Sequence, residues 1–68
     1  MTFKITDEYI ELYKLLKAAN LVDSGGEAKK LIELAQVRRN GEIETRKRAK
    51  ILVGEKIQIA DVEIEVTK

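Results

Sequence analysis

Cysteine, histidine, proline and tryptophan are all missing from these 68 residues, and the aromatic set is one phenylalanine and two tyrosines. Without cysteine there can be no disulfide and no thiolate metal site, so a chain this short must be held by packing alone. Without histidine or cysteine, the commonest general base and the best thiol nucleophile are both gone, and no enzyme activity or cofactor is expected. The lack of proline, low-complexity runs and internal repeats leaves no sign of a linker, and residues 1–68 are expected to form a single domain. At this length the domain buries only roughly 60% of the surface that the unfolded chain exposes. The longest apolar stretches, such as Ile51 to Val53, are far too short to span a membrane, and the N-terminus has no basic-then-apolar leader pattern. A cytoplasmic protein, working as a monomer away from membranes, is the expectation.

Charge is what the sequence does have. The net is only +1, but eight of the thirteen basic residues fall between Ala28 and Lys50. Lys29, Lys30, Arg38, Arg39, Arg46, Lys47, Arg48 and Lys50 face only Glu33, Glu42 and Glu44 there, a segment net of +5. The flanks, residues 1–27 and 51–68, each carry −2. Such a distribution makes a footprint for a polyanion that the overall charge hides.

The hydrophobic pattern changes period along the chain. Phe3 and Ile5 alternate with polar neighbours and predict a short strand over Met1 to Ile5. From Asp7 the spacing turns helical, with Ile10, Tyr13, Leu16, Leu12, Leu15 and Ala19 on one broad face and Thr6 or Asp7 as N-cap, predicting a helix to about Asn20. Ser24-Gly25-Gly26-Glu27 has the form of a capping box and opens a second helix, with Ala28, Leu31, Ile32 and Ala35 buried and Lys29, Lys30 and Glu33 facing solvent. After Ala35 the period falls to two. A two-residue Asn40-Gly41 turn would set Val37 opposite Glu44 and Arg38 opposite Ile43, mixing faces, so a three-residue loop over Arg39 to Gly41 is preferred, with Val37 meeting Ile43 and Arg38 meeting Glu42. Extended backbone from Thr45 then puts Arg46, Arg48 and Lys50 on one side, with Ala49 and Ile51 nearer the core. A turn at Val53-Gly54-Glu55-Lys56 leads to two strands, Ile57/Ile59 and Val62/Ile64/Val66, joined at Ala60-Asp61. The predicted fold is α+β: two N-terminal helices packed on a small antiparallel β-sheet.

The run Ala28-x-x-Leu31-Ile32, then Val37-x-x-Asn40-Gly41, then the Val53-Gly54 turn followed by Ile57, resembles the S4 RNA-binding domain, named for the small-subunit ribosomal protein. The likeness extends from Ser24 to Ile59, and the stretch Glu44 to Arg48 is similar to that of the small stand-alone bacterial members. It implies a helix-hairpin face that docks on structured RNA, such as ribosomal RNA or a ribosomal particle, with Lys29, Lys30, Arg38 and the basic run after the hairpin as contacts. Two positions depart from the pattern: Gly25 stands where many members carry an arginine, and Arg39, also a candidate RNA-binding residue, stands where an apolar residue is usual before the turn and either adds a contact or caps the hairpin. All three aromatics lie outside the basic segment in sequence, which favours reading of backbone and shape over base stacking. The alternative is a protein-protein adaptor whose basic surface meets an acidic partner. Glu63 and Glu65 alternate with apolar residues as the wet side of a sheet, and no metal site is assigned to them.

Overall fold

The computed structural model describes every residue from Met1 to Lys68. Two strands come before the helices: β1 (Thr2–Lys4) and β2 (Tyr9–Glu11) are followed by α1 (Leu12–Ala18), α2 (Gly25–Glu33), β3 (Val37–Arg39), β4 (Glu42–Ile43), β5 (Lys50–Leu52), β6 (Lys56–Ile59) and β7 (Val62–Thr67). Five strands form one sheet in the order β1-β7-β6-β3-β4, while β2 and β5 make a separate ribbon. The fold is α+β as expected, but the helices are not N-terminal and the sheet is mixed, because β1 runs parallel to β7. None of its helices is long and apolar enough to cross a membrane.

Helix α1 is half the length that periodicity predicts. Tyr9, Ile10 and Glu11 pair antiparallel with Leu52, Ile51 and Lys50, so the first turn of the expected helix is a strand and Thr6 and Asp7 cap nothing. Ile10 fits either reading, since one apolar residue at a junction satisfies both periods. The true N-cap, Glu11, makes no side-chain cap bond. The first N–H groups of this helix are met instead from across the chain: Leu12 N donates to the Ala49 carbonyl (2.9 Å) and Tyr13 N to the Lys47 carbonyl (3.1 Å). Helix α2 is capped as its sequence announces, with Glu27 N donating to Ser24 Oγ (3.1 Å) and Asp23 N to Glu27 Oε1 (2.9 Å). Ala35, expected in the buried stripe, lies past the helix end and is exposed at φ 61°. It occupies the left-handed position of a Schellman motif, in which Gln36 N bonds Leu31 O and Ala35 N bonds Ile32 O. Asn20, at φ 63°, closes α1 in the same way.

Leu12, Leu15 and Leu16 of α1 and Ala28 and Ile32 of α2 are buried against Val37, Ile51, Ile57, Ile64 and Val66 from the strands. The β6–β7 hairpin joins at Ala60-Asp61 as expected, pairing Ile57 with Ile64 and Ile59 with Val62.

The β3–β4 hairpin overturns the three-residue loop. Arg38 pairs with Ile43 and Arg39 with Glu42 across a two-residue Asn40-Gly41 turn whose φ values, 51° and 89°, are those of a type I′ turn. The faces do not mix, because Ile43 points outward and is 52% exposed while Glu44, opposite Val37, points inward and is 8% exposed. An inward carboxylate is tolerable only when paired, and this one is. Arg39, on the same inward face, donates from Nη1 to Glu44 Oε1 (3.3 Å) and grips Glu55 through Nε and Nη2, both at 2.7 Å. Its Nη2 also reaches the Lys50 carbonyl (2.8 Å). Glu55 in turn accepts from Leu52 N (2.8 Å) and Asn40 Nδ2 (3.0 Å), fixing the turn at Gly54, where φ is 93°.

Two stability outcomes follow from these local features. Ala35→Gly removes a left-handed strain from a β-carbon and should stabilise the domain by about 0.5–1 kcal/mol, read as a higher urea midpoint with unchanged m-value. The Arg46 hydrogen bond, acting against desolvation, holds the Glu44 carboxyl down at about 2, and the Arg39 hydrogen bond lowers that of Glu55. Groups depressed on folding stabilise above the unfolded carboxylate range, and that contribution is lost as pH falls through their folded values. The melting temperature should therefore drop between pH 5 and pH 2, and Glu44→Gln should flatten that drop.

Candidate nucleic-acid interface

Residues 44–49 do not form the extended run that would place Arg46, Arg48 and Lys50 on one side. They make a loop that is buried at Glu44 and Ala49 and exposed between them, with a turn at Lys47-Arg48 closed by Ala49 N bonding Arg46 O (3.2 Å). Ala49 and Ile51 are buried as expected and anchor the loop's C-terminal end. The carbonyls of Lys47 and Ala49 are committed to the start of α1, so the basic turn has a fixed backbone while its side chains project outward. Arg46 and Arg48 side chains are 74% and 73% exposed.

Each cation of the turn meets a carboxylate from a different element. Arg46 donates from Nε to Glu44 Oε2 and from Nη2 to Glu44 Oε1, both at 3.1 Å, and its backbone N–H reaches Oε2 at the same distance. Lys47 pairs with Glu33 at the end of α2. Arg48 Nε lies 3.9 Å from Glu11 Oε2, and Glu11 Oε1 holds Lys14 at 3.1 Å. Glu11 raises the Lys14 pKa by hydrogen bonding, as Glu44 raises that of Arg46, so both side chains stay cationic at any physiological pH.

The structure brings Lys29, Arg46, Lys47, Arg48 and Lys50 around this turn. Lys14, which the sequence reading missed because it lies in the acidic first third, joins them. The ammonium of Lys29 sits 4.7 Å from the centre of the Tyr13 ring, and that of Lys14 lies 5.9 Å from it. Lys50 lies 5.0 Å from the centre of the Tyr9 ring. The aromatics are therefore outside the basic segment only in sequence; folding places two of them beneath its lysines. Arg39, Arg46, Arg48, Ala49 and Lys50 line a shallow concavity beside the turn. Arg39 is at its floor with its hydrogen bonds directed to Glu55, Glu44 and the Lys50 carbonyl, and the Glu55 hydrogen bond raises its pKa further.

The remaining predicted residues stand apart. Arg38 is on the outward face of β3, where its Nη1 donates to the Gly41 carbonyl (3.2 Å), and Lys30 is exposed on α2 without an ion pair. Gly25 is one turn before Lys29 on the same side of α2, and a β-carbon there would lie 3.7 Å from Tyr13 Cδ2. The ammonium of Lys29 thus occupies the face of α2 from which the absent arginine would start. The signal for Lys14 was present only as its three-residue spacing from Glu11.

Comparison with known proteins gives a consistent picture. A family model described as an S4 domain matches residues 3–67. YbcJ of Escherichia coli (strain K12) is 40% identical over 58 residues, covering 85% of this chain and 83% of that protein, and YbcJ of Shigella flexneri matches to the same extent. The solution structure of E. coli YbcJ, described as revealing an αL motif involved in RNA binding, superposes with a TM-score of 0.76 at 37% identity, covering 98% of this chain and 86% of that one. With the helix pair, the Asn40-Gly41 hairpin and the basic turn in one arrangement, and with the family model spanning nearly its whole length, the chain belongs to the S4 domain family.

Proposed function

We propose that this protein is an RNA-binding module that docks the face formed by α2 and the 46–50 turn on structured RNA of the translation apparatus, ribosomal RNA or a ribosomal particle, as a cytoplasmic monomer. The observation that carries the reading is the exposed basic turn whose backbone is tied to the start of α1. Cations on a fixed backbone lose less freedom when they engage phosphates than cations on a floppy tail. Arginine adds direction, because its planar fork matches a phosphate through parallel hydrogen bonds. Membership of the S4 family and the RNA-binding motif described for E. coli YbcJ support the same class of ligand.

Within this reading Lys29, Arg46, Lys47, Arg48 and Lys50 contact phosphate at the turn, with Lys30 reaching the RNA from the exposed side of α2 and Arg38 from the hairpin's outer face. Arg39 holds the floor of the site through Glu55 and Glu44. The recognised features are the spacing of phosphates and the shape of a folded RNA.

The test is binding to a folded ribosomal RNA fragment, a single strand and a DNA duplex across a salt series. Each neutralised phosphate contributes a log-log slope of about −0.7 to −0.9, so several contacts give a slope of several units. Arg48→Ala should weaken binding to all RNAs alike and reduce the slope by about one. Absence of binding to folded RNA even at low salt overturns the reading and makes an acidic protein the next partner to try. Arg39→Ala should act differently, leaving two carboxylates short of a partner and costing about 2–4 kcal/mol in stability by denaturant unfolding.

A further inference from the structure

Resting on the RNA-binding reading above, we infer that Glu44 is a positioning residue, which holds Arg46 by one edge of its guanidinium and so presents the other edge to a phosphate. A guanidinium offers two hydrogen-bonding edges: a side-on edge made by Nε and one terminal nitrogen, and an end-on edge made by the two terminal nitrogens. In Arg46 the side-on edge is taken, Nε by Oε2 and Nη2 by Oε1 of Glu44, each at 3.1 Å. The end-on edge, Nη1 with the second hydrogen of Nη2, has no partner within the protein, on a side chain that is 74% exposed.

What distinguishes this pair from an ordinary surface ion pair is the other end. The Glu44 side chain is only 10% exposed, and it cannot swing away with its arginine. Its Oε1 also accepts from Arg39, and its Oε2 from the backbone N–H of Arg46 itself. Arg39 is fastened in turn to Glu55 and to the Lys50 carbonyl. The result is a chain of four alternating charges, Glu55, Arg39, Glu44 and Arg46, in which the first three are packed and only the last projects into solvent. By contrast, Lys47 meets Glu33 through a half-exposed pair, and the Arg48 contact with Glu11 is long at 3.9 Å. Neither carboxylate is as buried as Glu44, and a phosphate can displace either.

The two kinds of carboxylate make opposite predictions for a polyanion. Removing a negative charge beside a phosphate site strengthens binding when charge alone matters. Glu33→Gln should therefore raise affinity for a folded RNA fragment by about two- to threefold. Glu44→Gln removes the same charge, but its amide nitrogen turns a donor toward one of the donors it must hold, and it should lower affinity by about fivefold to tenfold through loss of an oriented arginine contact.

The experiment measures binding of the same folded ribosomal RNA fragment to the wild type, Glu33→Gln, Glu44→Gln, Arg46→Lys, Glu55→Gln and the double variant Glu44→Gln/Arg46→Lys, with thermal unfolding of each recorded alongside. Glu55→Gln loosens the same charge chain at the end remote from Arg46 but leaves both Glu44 oxygens in place, so it should lower the melting temperature and weaken binding less than Glu44→Gln does. Arg46→Lys should lose affinity like Glu44→Gln, and the double variant should lose no more than either alone, because both remove one oriented contact. Weaker binding by Glu44→Gln and stronger binding by Glu33→Gln, in proteins folded at the assay temperature, is the expected result. Stronger binding by both overturns the positioning role and leaves the RNA-binding reading standing. Equal weakening by Glu44→Gln and Glu55→Gln also overturns it, since the effect then follows stability. If Glu44→Gln fails to fold, the Arg46→Lys variant decides: affinity equal to wild type overturns the inference. Failure of the wild type to bind folded RNA at all removes the reading and the inference together.

Discussion

The Arg39 guanidinium lies on the inward side of β3 and reaches three separate pieces of chain: Glu44 after the hairpin, the Lys50 carbonyl at the start of β5, and Glu55 in the turn before β6. An apolar residue at this position could pack against the core, but it could not compensate a carboxylate pointing inward at Glu44. Placing a charge on the inner face is costly unless its partners are supplied on the spot, and here they are supplied by two arginines. Once that compensation exists, the short Asn40-Gly41 turn becomes usable, Ile43 is left outside, and the loop that follows starts from a buried anchor. The direction in which the basic turn leaves the sheet depends on this one inward carboxylate.

The other anchor is made of backbone. Helix α1 begins without a side-chain cap, which leaves its first N–H groups seeking acceptors. Carbonyls of Lys47 and Ala49 supply them, so the helix start and the basic turn complete one another. The turn gains a fixed course, and its side chains are free to face solvent because its main chain is already satisfied. Glu11 and Tyr13, at the same helix start, then gather Arg48, Lys14 and Lys29 into one neighbourhood. A mildly basic protein thus acquires a concentrated positive surface without a large net charge.

Local chemistry was legible wherever the deciding interaction was local. The Ser24 cap and the β6–β7 hairpin each involve residues within a few positions of one another, and each was readable from the order of residues. Helix α1 was overextended because Ile10 satisfies both a helical and an alternating pattern, and the strand β5 that claims it lies forty residues downstream. The hairpin register was misread for a related reason. Glu44 looks like a solvent residue until Arg39 and Arg46 are placed beside it, and neither pairing follows from hydrophobic period. Ala35 was assigned to the buried stripe because nothing in the sequence marks it as a left-handed helix end, a place where glycine is the usual signal.

By itself the sequence determined the class of fold, the position of the second helix, the pairing of the last two strands and the concentration of positive charge in one segment. These rest on periodicity, capping and composition, which act over short separations along the chain. Only the tertiary structure decided which cations stand together, that Lys14 is among them, that Tyr9 and Tyr13 lie beneath lysines, and that Arg39 faces carboxylates. Those outcomes depend on contacts between residues far apart in sequence, formed when burial of the leucine and isoleucine core brings β2, α1 and the 44–50 loop to the same edge of the molecule.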